Sequence, residues 1–91
     1  MNSHGKRFGN SARKNKEHAV VRAKERYSLQ LSNRKRKMIA HLIEEGHGRF
    51  IKNGSLVQRK VYGIYFEDKH LWVVYDHYTN RIVTFLPNHN E

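Results

Sequence analysis

The chain contains no cysteine, so no disulfide can staple it and neither a thiolate zinc site nor a thiol nucleophile is available. Acid is scarce, with 8 Asp and Glu against 18 Lys and Arg in 91 residues. The few carboxylates are scattered, which argues against a two-metal nuclease built on acidic ligands. Proline occurs once, at Pro87, and tryptophan once, at Trp72. No run approaches the roughly 18–20 apolar residues of a membrane span, and the N-terminus lacks the apolar core of a signal peptide. The expectation is a cytoplasmic protein that does not engage a membrane. A Gly-rich phosphate loop, a GxSxG elbow and an HExxH helix are all missing. The seven histidines do not have ligand spacing: His41 and His47 straddle a helix end, and His70 and His77 flank a whole strand. No metal and no cofactor is expected.

What the chain does have is positive charge, unevenly placed. Between Met1 and Ile43 lie twelve Lys and Arg against two acids, Glu17 and Glu25; from Glu44 onward six bases meet six acids. The formal net charge of +10 therefore belongs to the N-terminal half, while most aromatics lie in the other half. With a pI near 10.2, a polyanion is the natural partner and nucleic acid the first class to consider.

Met1 to Asn15 is Gly, Ser, Asn, Lys and Arg with one Phe, and has no periodicity. The composition predicts a flexible basic arm over residues 1–11 and a single α+β domain over 12–91. A helix is expected from about Ala12 to Ser28, where Ala19, Ala23 and Tyr27 recur every four residues beside Val20. His18, Arg22 and Arg26 share the same spacing and line an edge of that apolar stripe. Leu29-Gln30-Leu31 breaks the pattern. Ser32 is a suitable N-cap for a second helix, whose apolar face is Met38, Ile39, Leu42 and Ile43, and which Gly46 or Gly48 stops. Arg34-Lys35-Arg36-Lys37 occupies its first turn, against the positive end of the helix dipole. Each charge there costs a few tenths of a kcal/mol, which points to an external anion that compensates.

Beyond Gly48 the pattern becomes strand-like. A short Arg49–Lys52 strand meets the turn signal Asn53-Gly54. A long strand is expected from Leu56 to Phe66, a central one at Leu71–Tyr75, and a last one at Arg81–Leu86, ended by Pro87. Strict alternation places Ile82, Thr84 and Leu86 on one face and Val83 and Phe85 on the other. Short connections predict an antiparallel meander of three or four strands with the two helices over one face. Some of Tyr62, Tyr65, Trp72, Tyr75 and Tyr78 must then lie on the uncovered face, where one or two are able to stack on bases.

RNA cleavage needs no metal, because the 2′-hydroxyl is an internal nucleophile; a base, an acid and positive charge at the phosphate suffice. The helical edge His18, Arg22, Arg26 and the late residues Tyr75, Asp76, His77, Arg81 and Thr84 supply such groups. Each has a structural alternative. His18 suits a half-buried helix edge, Arg22 and Arg26 suit pairing with Glu25 or wrapping the sheet edge, and Thr84 is an ordinary β-branched strand residue. Arg13 and Lys14 in the arm region, Arg34, Lys35, Arg36 and Lys37, and Arg81 are the candidate phosphate contacts.

The early run His18-Ala-Val-Val-Arg22-Ala-Lys-Glu-Arg26-Tyr27, followed by a meander ending Ile82-Val83-Thr84-Phe85-Leu86-Pro87, resembles a group of small phage and toxin–antitoxin proteins with the RelE-like, barnase/colicin-type ribonuclease fold. The resemblance spans roughly residues 17 to 87. It implies metal-independent endoribonuclease activity on the open sheet face, with His18, Arg22 and Thr84 matching the group's functional positions. Under it His18 acts as general base or acid, Arg22 and Arg26 hold the scissile phosphate, and Thr84 and Tyr75 support it. The alternative is a non-catalytic phage or mobile-element accessory protein that binds nucleic acid, RNA rather than DNA by preference, or inhibits a host nucleic-acid enzyme. An acidic protein partner such as an antitoxin is compatible with the same composition.

Overall fold

The computed structural model describes residues 18–88. The expected basic arm, the helix start near residue 12, and Arg13 and Lys14 lie outside the described residues. Within them the first helix, α1, runs over 18–27. It is followed by α2 (Asn33–Glu44), β1 (Arg49–Asn53), β2 (Arg59–Phe66), β3 (Lys69–Asp76) and β4 (Arg81–Leu86). All neighbouring strands pair antiparallel in the order β1-β2-β3-β4. The domain is thus α+β, two helices on one face of a four-stranded meander.

Local chemistry accounts for the boundaries. Ser28 closes α1 in the left-handed region, φ 54°, and its N–H donates to Lys24 O at 3.0 Å. Ser32 caps α2 by accepting from Lys35 N at 3.1 Å. At the other end His47 N donates to Leu42 O and Gly46 N to Ile43 O, with Gly46 at φ 84°. This paired arrangement satisfies carbonyls that the helix leaves orphaned. The β2–β3 turn places both Glu67 and Asp68 at positive φ, the two-residue geometry whose twist matches that of the flanking strands.

The face under the helices carries Ile64, Phe66, Leu71, Val73, Tyr75, Ile82 and Phe85. Against it α1 contributes Ala19 and Ala23, both fully buried, and α2 contributes Ile39 and Ile43. Leu29 and Leu31, which read as a break in periodicity, are in fact core residues of the connection. A second, smaller cluster occupies the opposite face: Val61, Val74 and Val83, with Ile51, Trp72 and Leu86 packed around them.

Two strand expectations are corrected. The second strand does not begin at Leu56. Residues 54–58 form a loop in which Val57 is 90% exposed and Gly54 N donates to Arg59 O at 2.7 Å. A Cβ on Gly54 would lie 2.9 Å from that same oxygen, so glycine is needed there for close approach, and Asn53-Gly54 opens a wider loop than a two-residue hairpin. Nor does β4 alternate strictly. The register with β3 shifts between Val74 and Tyr75, so Val83 is a bulged residue. Ile82 and Phe85 both face the helices, while Val83, Thr84 (opposite Val74) and Leu86 face away.

No steric contact depends on Gly46 being bare, since a Cβ there would meet nothing within 4 Å. Its only constraint is the positive φ. Gly46→Ala is therefore expected to lower unfolding free energy by about 1 kcal/mol in urea titration, with an unchanged far-UV spectrum.

Candidate functional site

The helix α1 places its charged edge at the margin of the sheet. His18 is exposed. The Arg22 guanidinium donates to Glu25 at 2.9 Å, an i,i+3 pair on the helix surface. Arg26 Nη1 donates to Phe85 O at 2.7 Å, so the arginine is anchored to a backbone carbonyl of edge strand β4. The next residue, Tyr27, inserts its hydroxyl between the ends of β3 and β4, donating to Leu86 O and accepting from Trp72 N. Trp72 and Leu86 are register partners, so the phenol replaces a rung of the ladder and ties α1 to the sheet.

The four candidate catalytic side chains do not meet. His18 and Arg22 sit on α1. Tyr75 is 1% exposed and lies beneath the helices, where its hydroxyl donates to Glu44 Oε2 at 2.5 Å. Burial, and then this bond to a carboxylate, push its phenol far above the ordinary tyrosine value, so it stays neutral. Thr84 is on the other side of the sheet, and its Oγ1 is buried without a hydrogen-bond partner. A phosphate held against α1 has no access to that hydroxyl. The bulge at Val83, an insertion that periodicity does not reveal, puts Ile82 under the helices and leaves Thr84 with Leu86 on the uncovered face.

The structure does assemble two other groups. The first is at the β3–β4 turn. Asp76, 3% exposed, accepts from Tyr78 N and Thr79 N and from Arg59 Nε at 3.0 Å. Burial alone would raise its carboxyl; the amide bonds and the guanidinium outweigh burial and hold it below the ordinary value. The turn fixed in this way presents His77, whose Nε2 is 2.7 Å from Tyr62 Oη. The His77 ring packs edge-on against both Tyr62 and Tyr75. Burial raises the Tyr62 phenol, which keeps it a neutral partner for the imidazole. His77 was among the residues suggestive of chemistry, but its pairing with Tyr62 depends on strand register and has no local sequence signal.

The second group is cationic. Among the four bases opening α2, Lys35 pairs with Glu67 at 3.1 Å. Arg34, Arg36 and Lys37 have no acidic partner among the described residues, and no acid lies in the first turn of the helix. The Arg36 guanidinium is held below its ordinary value by burial and, second, by the like charge of Arg81, which β4 brings alongside. Its Nε is buried with no hydrogen-bond partner. Uncompensated positive charge is thereby concentrated at the start of α2. Among the described residues no three His, Asp or Glu side chains gather as a metal site, and no helix is long and apolar enough to cross a membrane.

Two substitutions test these placements. Replacing Thr84 by Val removes a buried, unpartnered hydroxyl at nearly constant shape and is expected to raise stability by about 1 kcal/mol; a loss would show that the hydroxyl is bonded. Asp76→Asn is expected to lower stability by about 1–3 kcal/mol at neutral pH. Because the folded carboxyl lies below its ordinary 3.8, its contribution is present above that value and lost as pH falls through the folded one. The gap between parent and variant in thermal unfolding should therefore stay constant above about pH 5 and close on further acidification.

No protein-family model matches the chain, and no curated protein and no solved structure is found similar to it.

Proposed function

We propose that this chain is a small nucleic-acid-binding protein of the cytoplasm that grips phosphates without cleaving them, RNA being the preferred partner. The observation that carries the reading is the basic opening of α2: Arg34, Arg36 and Lys37 have no acidic partner among the described residues, no acid lies in the first turn, and Arg36, half-buried, also feels the like charge of Arg81. Like charges brought together in a folded domain are unfavourable unless an anion lies between them. A phosphate diester supplies both the charge and the acceptor oxygens, and it does so repeatedly along a strand. Arg34 and Lys37, both exposed, extend the surface on either side in sequence.

The endoribonuclease reading implied by the RelE-like resemblance requires His18, Arg22, Thr84 and Tyr75 around one phosphate. With Tyr75 buried and bound to Glu44, and Thr84 on the far face, the geometry supports binding over cleavage. His18 and Arg22 remain at the surface of α1 as possible backbone contacts for the same ligand, and an acidic protein that mimics nucleic acid would compete for it.

The test is fluorescence anisotropy with labelled single-stranded RNA and DNA across a salt series. Binding should weaken steeply with salt, and Arg36→Gln with Arg81→Gln should each reduce the log–log slope by about 0.7, the loss of one single-strand phosphate contact. An unchanged slope in both variants would remove this pair from the interface. Labelled RNA incubated with clean protein in EDTA should stay intact; cleavage that disappears in His18→Ala would restore the enzymatic reading.

A further inference from the structure

We infer that the uncovered face of the sheet carries a slot in which a nucleobase of single-stranded nucleic acid stacks, with Gly63 as its floor and Tyr65 and Trp72 as its walls. This rests on the nucleic-acid reading above and assigns it a second, base-recognising contact. Across the strands Arg49, Gly63, Trp72 and Leu86 form one register row, and Tyr65 and His70 form the next row on the same face, two positions along. Gly63 is the one position of the first row without a side chain. The gap it leaves is part of a cavity of about 440 Å³ that His47, Arg49, Tyr65, His70 and Trp72 also line. A Cβ at Gly63 would come within 3.3 Å of Ile51 Cδ1, so Ile51 closes the β1 side of the gap and a larger residue at 63 collides with it.

The lining has the composition of a base site. Tyr65 is 60% exposed and its ring packs against His70 with centroids 4.7 Å apart, which presents an aromatic surface at the mouth. Arg49 stands at the β1 end of the row, placed to meet a phosphate attached to a base in the slot. A second cavity of about 440 Å³ shares His70 and Asn88 with the first and continues it past Lys69 to Arg26 and Tyr27. The one carboxylate along this path, Asp68, is engaged by Tyr65 Oη at 3.3 Å. Bases interleaved with aromatic rings suit a single strand whose bases are splayed; a duplex hides its base faces and does not fit. An acidic peptide shares the charge but has no planar ring to occupy the gap.

Trp72 is the sole tryptophan, so its emission reports the slot directly. Binding of a fluorescein-labelled 12-mer is followed by anisotropy, and quenching of Trp72 by the unlabelled 12-mer is followed in parallel. Oligouridylate and oligothymidylate should quench Trp72, a duplex of the same length should not, and polyglutamate should not. Tyr65→Ala, an exposed change outside the core, should raise Kd by about ten- to a hundredfold, the range of one lost stacking contact. Gly63→Val should abolish quenching; a circular-dichroism spectrum like that of the parent shows that the loss is local, and Tyr65→Ala decides the matter where that variant fails to fold. Binding by anisotropy with no quenching, or with Kd unchanged in Tyr65→Ala, overturns the slot and leaves the phosphate reading standing. Absence of any binding by the parent overturns both. Quenching by polyglutamate that Tyr65→Ala removes would assign the slot to an acidic peptide instead.

Discussion

Burial of one sheet face beneath two short helices is the constraint on which the remaining structure depends. The helix-side cluster joins every element but β1, from Ala19 and Ala23 through Ile39 and Ile43 to Phe85. The two fully buried alanines give α1 no bulk of its own, so it approaches the sheet closely and is held there by polar anchors at its end. Tyr27 and Arg26 supply these, both to backbone atoms at the β3–β4 margin. Arg26 thereby caps one carbonyl of edge strand β4, at Phe85.

This arrangement separates two kinds of work. The helices spend their apolar faces on the core and present cations outward. The neutral second half builds a sheet whose far face is itself partly apolar, around Val61, Val74 and Val83. The charged surface and the aromatic surface thus belong to different layers. The proposed single-stranded partner would meet both, its phosphates at the guanidinium groups and its bases at the rings. The buried carboxylate Asp76 has a supporting place in this division: it holds the β3–β4 turn and pairs with Arg59 on one side, while Arg81, its register partner on the other, is in no salt bridge among the described residues.

Much of the fold was legible in the residues, and the reasons differ by element. Ser32 and Gly46 were readable as cap and stop because capping depends on local backbone chemistry alone. The meander was readable because short connections force neighbouring strands to pair antiparallel. The edges of β2 and the facing of β4 were not, since a five-residue loop and one bulged valine are decided by how strands settle against the core. The candidate site fared likewise. The charge of Arg34 to Lys37 and its poor fit to the helix dipole stood out in the chain, but the like charge that Arg81 adds at Arg36 did not, and the same bulge separates Ile82 from the face it was expected to share with Thr84 and Leu86. Gly63 did not stand out in the chain; its place in a row with Arg49 and Trp72 is set by strand register alone.

The amino-acid sequence by itself determined the charge asymmetry, the α+β order of elements and the absence of thiol chemistry, because these follow from composition and from periodicity within single segments. Only the tertiary structure decided which side chains share a site. Contacts such as Arg26 with Phe85, Tyr62 with His77, or the row from Arg49 to Leu86 join residues far apart in the chain, and a shift of one residue in register is enough to send a side chain to the opposite face.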